Sequence, residues 1–283
     1  TYHSANGRLM CHYCGHSEPA YDRCPQCGGI MKHIGTGTQK VEEDLHALFP
    51  GAKVLRMDTD TVGASHGHEK LLRQFEEEKI PILLGTQMVA KGLDFENVTL
   101  VGVLCADASL YIDNYRAPER TFSLLSQVVG RAGRGSKQGR AIIQTFTPEN
   151  EVIRAAAAQD YDAFYESEIR MRRLRRYPPF ADLFSFTVTG ADESRVIGAA
   201  KALRDALGYA VERREELKPL SIEVLGPAGA SVVKVNNRYR YRVFLVGKGC
   251  PALRRLVAEY LYAFYQHKEN RGLDIFADCN AIQ

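Results

Sequence analysis

The 283-residue chain predicts an α/β unit followed by a smaller α+β unit, with a short cysteine-rich module in front of both. Three observations predict this. Four of the seven cysteines fall between Cys11 and Cys27, in a stretch dense in turn residues. Residues 35–150 alternate apolar strand-like runs with amphipathic helical segments, the pattern of a parallel sheet with crossover helices. Residues 180–283 follow the order β-α-β-β-α-β, the split β-α-β arrangement of an antiparallel sheet with two helices on one face. Residues 151–179 join the two as a helical linker.

Composition narrows the class. A chain this long with 45% hydrophobic residues buries a core, and its length fits two domains. The net charge of +3 is close to neutral, so a surface for nucleic acid has to be local. No apolar run approaches the roughly 18 residues of a spanning helix, and no signal peptide is visible. The uneven cysteine distribution argues against a disulfide framework and for a metal in a reducing compartment, so a cytoplasmic location is expected. The chain begins at Thr1 and enters the cysteine-rich segment at once, which suggests an excised fragment.

The elements follow in order. Residues 1–34 are poor in aliphatics and punctuated by Gly15, Pro19, Pro25, Gly28 and Gly29, so they bury little without a metal or partner. Cys11-x2-Cys14-x9-Cys24-x2-Cys27 is a strong zinc signal, because each C-x2-C knuckle aims two thiolates at one tetrahedral ion. Four thiolates leave no open position, so the ion is expected to be structural; His12, His16 and His33 read as surface residues. Thr38–Leu48 predicts a helix, with Val41, Leu45 and Leu48 on one face and Pro50-Gly51 as its stop. Lys53–Met57 predicts a strand, and His68–Lys79 a helix turning Leu71, Leu72 and Phe75 inward. Ile80–Thr86 and Val98–Cys105 are continuous apolar runs, as in strands buried on both faces. Ala117–Val129 predicts a helix and Ala141–Phe146 a strand. Glu151–Arg176 reads as one long helical stretch, rich in alanine at 155–158 and stopped by Tyr177-Pro178-Pro179. Strands at Leu183–Thr189, Ser221–Leu225, Arg238–Val246 and Leu273–Ala277, with helices at Ser194–Leu217 and Cys250–Gln266, complete the chain.

Several segments carry chemistry. Gln127–Arg134 reads Q-x-x-G-R-A-G-R at the end of a predicted helix. An arginine supplied across a cleft stabilises charge on a transferring phosphoryl group, worth about 10³–10⁵ in rate. Arg131 and Arg134 suit that role, and Gln127 suits positioning of water or the γ-phosphate. The alternative, cations on a helix C-terminus with a glycine stop, explains the two arginines interleaved with glycines less well. Gly85–Phe95 follows an apolar strand, where parallel sheets bind ligands. Thr86 and Gln87 could meet a nucleic-acid backbone there, and Asp94 a ribose or an arginine; a loop that merely caps the next element is an equal alternative. No G-x-x-x-x-G-K-[ST] and no D-E-x-H occur, so the chain carries one side of an ATP site without the other. Arginines 170, 172, 173, 175 and 176 read as solvated cations on a helix C-terminus rather than as phosphate ligands. On a strand, Arg238, Arg240 and Arg242 share one face and Tyr239, Tyr241 and Val243 the other. With Lys234 they make either a phosphate-binding strip or a half-exposed strand with solvated arginines. Asp107, Asp113 and Glu119 form no convincing acid–base pair, and Cys105, Cys250 and Cys279 read as core thiols.

The zinc knuckles, Gly35-Thr36-Gly37-Thr38-Gln39-Lys40, TQMVAKGLDF, QVVGRAGR, Arg176-Tyr177-Pro178-Pro179-Phe180 and Arg238-Tyr239-Arg240-Tyr241 occur in this order. Together they closely resemble the bacterial primosomal replication-restart helicases, and the likeness covers essentially the whole chain. The resemblance implies a partial RecA-like second helicase lobe of superfamily 2 with a zinc-ribbon module, followed by a ribosomal-S10-like domain that contacts DNA. It implies ATP- and Mg²⁺-dependent 3′-to-5′ translocation, recognition of stalled forks, and loading of the replicative helicase. Primosome proteins, the helicase loader and single-stranded DNA-binding protein are the implied partners. By the same resemblance Arg131 and Arg134 contact ATP, with Gln127 and Gly130 at the nucleotide. Thr86, Gln87, Lys91, Gly92 and Asp94 couple nucleotide to DNA, and the tail Asp278-Cys279-Asn280-Ala281 departs from the family's usual ending. The family's phosphate loop, acidic motif and the first strand of this lobe precede the segment seen here, so the chain alone is expected not to hydrolyse ATP. Family members hold two zinc ions with eight cysteines in interleaved pairs. That implies Cys11 and Cys14 on one ion and Cys24 and Cys27 on the other, with closure of all four around one ion as the alternative. Two rivals stand beside this: a non-catalytic zinc-ribbon adaptor for nucleic acid, and a related fork-remodelling translocase.

Overall fold

The computed structural model describes residues 2–3, 8–10, 16–31, 37–58, 67–90, 98–112, 114–130 and 139–281. The chain divides into two compact units, one of Thr1–Met31, Ile112–Tyr115 and Ser167–Gln283, the other of Lys32–Tyr111 and Arg116–Glu166. At the N-terminus, β1 (Tyr2–His3), β2 (Arg8–Met10) and β3 (Ser17–Pro19) form an antiparallel sheet in that order. The Arg8 guanidinium fastens β2 to β3, donating to Ser17 Oγ at 2.8 Å and to Ser17 O at 3.0 Å.

The unit centred on residues 32–166 alternates strand and helix as the periodicity predicts. Its elements are α1 (Thr38–Leu48), β4 (Val54–Met57), α2 (Gly67–Glu77), β5 (Ile82–Gly85) and α3 (Gln87–Ala90). They continue with β6 (Leu100–Val103), α4 (Asp107–Leu110), α5 (Ala117–Val129), β7 (Arg140–Ile143) and α6 (Glu151–Ala158). The helices α1 and α5 begin and end at the predicted residues. Both strand pairs are parallel, β4 with β5 and β6 with β7, and no ladder joins the pairs among the described residues. The apolar runs predicted burial on both faces, and here the structure differs. Val103 and Ile143 pack against a core of Ala106, Leu110, Phe122, Leu125, Ile153, Ala155, Ala156 and Phe164. Leu100, Leu104 and Ile142 stay more than half exposed, because α5 and α6 supply cover to one side of this pair only.

The predicted long helix over 151–176 is two helices, α6 and α7 (Tyr161–Leu174). Asn150 caps the first, its side chain accepting from Val152 N at 2.9 Å. Gln159 ends it in the left-handed region, at φ 55° and ψ 30°. Asp160 then starts the second by accepting from Ala163 N at 2.9 Å. The break lets two apolar faces be buried at different angles: Ala155 and Ala156 against α5, and Phe164 stacked on Phe122 with ring centroids 4.2 Å apart.

The C-terminal elements are β8 (Asp182–Gly190), α8 (Glu193–Arg213), β9 (Glu223–Val235), β10 (Arg238–Gly247), α9 (Pro251–Gln266) and β11 (Asp274–Cys279). The sheet order is β11-β8-β10-β9 and every neighbour is antiparallel, so β10 inserts between β8 and the strand that α8 connects to it. One sheet face packs Phe184, Phe186, Val188, Val243 and Leu245 against Val196, Leu203 and Leu207 of α8 and Leu253, Leu256 and Phe264 of α9. A bidentate pair from Arg214 to Glu259, at 2.8 and 2.6 Å, ties the end of α8 to α9. The Tyr265 hydroxyl meets both N and O of Ile275 at 3.2 Å and covers part of the β11 edge. β9 is much longer than the predicted Ser221–Leu225. Its Gly/Ala-rich middle lacks a strand-like pattern, yet it stays paired with β10 up to a turn at Asn236-Asn237, both at positive φ. Among the described residues no helix is long and apolar enough to cross a membrane.

Asp107, 3% exposed, ties the C-terminal ends of β6 and β7 together. It accepts from Thr145 Oγ1 at 3.0 Å, Phe146 N at 3.0 Å and Thr147 Oγ1 at 2.9 Å. Burial pushes its carboxyl up, and the Phe146, Thr147 and Thr145 bonds outweigh it, so the net shift is below the ordinary carboxylate value. Asp107→Ala is expected to lower unfolding free energy by about 3 kcal/mol at pH 7, by stranding these donors. A depressed folded-state pKa contributes stability above the unfolded value of about 3.9 and loses it as pH falls through the folded value. The gap between wild type and variant in urea unfolding should therefore hold from pH 7 to pH 5 and narrow below about pH 4. Equal midpoints at pH 7 would contradict this.

Candidate functional site

The segment around Thr86 and Gln87 is placed by steric constraint. β5 ends at Gly85, where an added Cβ would sit 2.1 Å from Val89 Cγ2 and 2.6 Å from Met57 O. Only glycine lets β5, the neighbouring strand β4 and the first turn of α3 approach so closely. Thr86 O accepts from Val89 N at 3.1 Å, and the Thr86 and Gln87 side chains are exposed at the C-terminal end of the parallel pair. Lys91, Gly92 and Asp94 lie outside the described residues.

At the neighbouring end of β4 the structure reveals a polar cluster that no sequence pattern announced. Thr38 Oγ1 donates to Asp58 Oδ2 at 2.6 Å, and Arg56 bridges Asp58 at 3.1 Å and Glu42 at 2.8 Å. These contacts pin the start of α1 to the end of β4.

The helix α5, which leads into the second expected segment, lies against α3, which carries Gln87. Gln127 is exposed on its last turn, with Nε2 donating to Ser123 Oγ at 3.3 Å. Gly130 closes the helix, its N–H donating to Ser126 O at 3.0 Å. The same carbonyl accepts from Gln159 Nε2 at 3.2 Å, across from the end of α6. A Cβ on Gly130 would lie 2.8 Å from that Nε2, the far end of a flexible and exposed side chain. Gln159 holds a left-handed conformation that costs an L-residue about 1 kcal/mol. Nothing in its local sequence marks it. Arg131, directly after Gly130, and Arg134 lie outside the described residues.

Cys24 and Cys27 form a knuckle. Gly28 N donates to Cys24 O at 2.8 Å and Cys24 N donates to Gly29 O at 2.8 Å, with Gly28 at φ 71°. The Cys24 thiol is held below its ordinary pKa, first by the Cys27 N–H, then by the Gln26 N–H and the Cys27 thiol. A tight turn with amides directed at a thiolate fits half of a tetrahedral zinc site. Cys11 and Cys14 lie outside the described residues, and among the described ones no three metal-ligating side chains converge.

The arginines of β10 alternate as predicted. Tyr239, Tyr241 and Val243 pack toward the helices, while Phe244 and Val246, of the same parity as Arg238, Arg240 and Arg242, join a cluster with Tyr115, Ala181 and Leu183. Arg238 is engaged: it ion-pairs with Asp274 and donates to Thr189 O at 3.2 Å, which offsets one charge of the strip. The run at 170–176 is largely structural. Arg172 pairs with Glu168 at 2.7 Å, donates to Pro178 O at 3.3 Å and lies over the Tyr115 ring at 5.7 Å. Arg173 covers Phe180 at 4.8 Å, and Arg176 donates to Ser221 O at 2.5 Å.

Comparison with known proteins places this geometry. Residues 35–136 match the helicase conserved C-terminal domain. Residues 173–280 match the primosomal protein N C-terminal domain, and residues 1–19 the PriA DNA helicase Cys-rich region. Replication restart protein PriA of Bacillus subtilis (strain 168) is 42% identical over 281 residues, covering 99% of this chain and 34% of the relative. PriA of Synechocystis sp. is 40% identical over 87% of the chain and 29% of the relative, and that of Treponema pallidum 36% identical over 93% and 39%. The chain thus spans about a third of the length of the curated relatives it matches. With a helicase-type unit, a cysteine-rich segment and a primosomal C-terminal domain in one order, the chain belongs to the replication restart protein PriA family.

Proposed function

We propose that this chain is the C-terminal part of an ATP-dependent 3′-to-5′ superfamily 2 DNA helicase that restarts stalled replication forks and helps load the replicative helicase. One observation carries this: the G-T-Q turn after β5 and the glutamine–glycine end of α5 belong to a single unit, with α3 against α5. In this reading the loop assigned to the DNA backbone belongs to the same unit as the helix that leads into Arg131 and Arg134.

ATP with Mg²⁺ supplies the transferable phosphoryl group when bound. Arg131 and Arg134 hold its developing charge, and Gln127 orients the attacking water. Gly130, Gly92 and Asp94 serve nucleotide binding. Thr86, Gln87 and Lys91 hold a DNA backbone, so closure of the site moves the strand. Arg240 and Arg242, with Arg238, add DNA contacts on a C-terminal domain of the S10-like kind. Cys11, Cys14, Cys24 and Cys27 hold zinc as a structural ion, and partners are primosome proteins, the helicase loader and single-stranded DNA-binding protein in the cytoplasm.

Arg134→Ala in the whole protein should lower DNA-stimulated ATP turnover about 10³-fold and abolish unwinding. Fork binding by anisotropy should change less than about two-fold, since the arginine acts on charge that develops in the transition state. Retained unwinding would contradict the assignment. The 283-residue chain alone should give no ATP turnover with or without DNA, and measurable turnover would count against the two-sided site. Cys24→Ser together with Cys27→Ser should reduce zinc per chain in elemental analysis, and an unchanged zinc content would remove these residues from the metal site.

A further inference from the structure

The C-terminal sheet carries an exposed aromatic on the same face as the β10 arginines. Leu273, Ile275 and Ala277 of β11, Phe186 and Val188 of β8, and Tyr241 and Val243 of β10 pack toward α8 and α9. Phe276, Thr187 and Arg242 alternate with them and so belong to the opposite face. The register sets these three in one row: Phe276 pairs with Thr187, and Thr187 with Arg242. The next row is Asp274, Thr189 and Arg240. Phe276 and Arg242 are thus two strand spacings apart, about 10 Å. Thr187 between them is 1% exposed while Phe276 is 44% exposed, so the ring stands at the edge of a closed floor. We propose that this part of the sheet binds single-stranded DNA, with a base stacked on Phe276 and the phosphates over Arg240 and Arg242.

The surroundings select that occupant and its direction. One end of the face is filled, where Tyr115, Ala181, Leu183, Phe244 and Val246 pack together. At the other end Arg238 ion-pairs with Asp274 and donates to Thr189 O at 3.2 Å, which offsets the acid on one side of Phe276. Asp278 lies two residues beyond the ring on the other side, paired with Ser185. Acids on the β11 edge repel phosphate, and arginines two strands away attract it. That polarity lays the nucleic-acid backbone along β10 and turns its bases toward β11. Phenylalanine then offers a base only its π face, which is indifferent to sequence. Duplex DNA cannot use it. Its bases are stacked on one another, and a four-stranded sheet about 14 Å across is wider than the ~12 Å major groove. Packing does not account for the ring either, because the outer face of an edge strand is served by charged residues such as its neighbours Asp274 and Asp278.

Such binding rests on the assignment of the β10 arginines to DNA, and the test separates the two. The 283-residue chain has no tryptophan, so Phe276→Trp places a lone indole at the stacking position. Its fluorescence should be quenched by an oligothymidylate of about 12 nucleotides and not by a blunt duplex of the same length. In anisotropy, Phe276→Ala should weaken binding of the labelled oligothymidylate about tenfold, the worth of one base stack, and Phe276→Trp should keep the wild-type affinity. The thermal midpoint of Phe276→Ala should stay at the wild-type value, since the ring lies outside the core that faces α8 and α9. Wild-type affinity in Phe276→Ala beside a loss in Arg240→Ala would overturn the stacking site alone, as would quenching by the duplex equal to that by the single strand. Wild-type affinity in both variants, or no binding of oligothymidylate by the chain, would overturn the assignment of β10 to DNA as well.

Discussion

The packing of α6 on α5 is the contact on which the end of α5, and with it Gln127 and Gly130, depends. Ala155 and Ala156 are buried in it, and their small size lets the two helices come close enough for Gln159 to reach the last turn of α5. A larger side chain at either alanine would drive the helices apart, because a packed interface has no room for added methylenes. The stacking of Phe122 on Phe164 continues the same interface into α7. Asp107 supports it from the other side, joining the ends of the strands β6 and β7 whose inner residues Val103 and Ile143 touch this core. The position of Gln127 and Gly130 is therefore a consequence of apolar packing several residues away from either.

The arginines divide by what surrounds them. Arg172 and Arg173 lie against aromatic rings, and Arg176 bonds a backbone carbonyl, so their charge is committed within the fold. Arg238 is balanced by Asp274, which the register of β11 on β8 brings beside it. Basic residues that look alike in sequence thus differ in their capacity to attract phosphate, and the difference comes from residues far away in the chain.

Much of the fold was legible. The periodicity of α1 and α5 placed both ends of each helix, and the β-α-β-β-α-β order anticipated the C-terminal sheet. Alternation along β10 told which tyrosines face the helices. The misses have physical causes. Helix propensity runs unbroken through 151–176, so the turn at Gln159 and Asp160 was invisible: it exists because two apolar faces must be buried at different angles. The far half of β9 was missed because its glycines and alanines carry no alternating pattern, and pairing with β10 holds it extended. Of the candidate site, the glycines and glutamines were readable as motif letters, while Gln159, Arg56 and Asp58 were not.

By itself the sequence determined the types of the elements, the order of the motifs, the cysteine spacing and the family resemblance, because these are written in residue identity and local period. Tertiary structure alone decided which carbonyl Gln159 meets, why Gly85 has to lack a Cβ, and how Arg172, Arg173, Arg176 and Arg238 are engaged within the fold. Most of these depend on distances between segments tens of residues apart. Such distances are set by how side-chain volumes interlock in a close-packed core, and no local pattern encodes them.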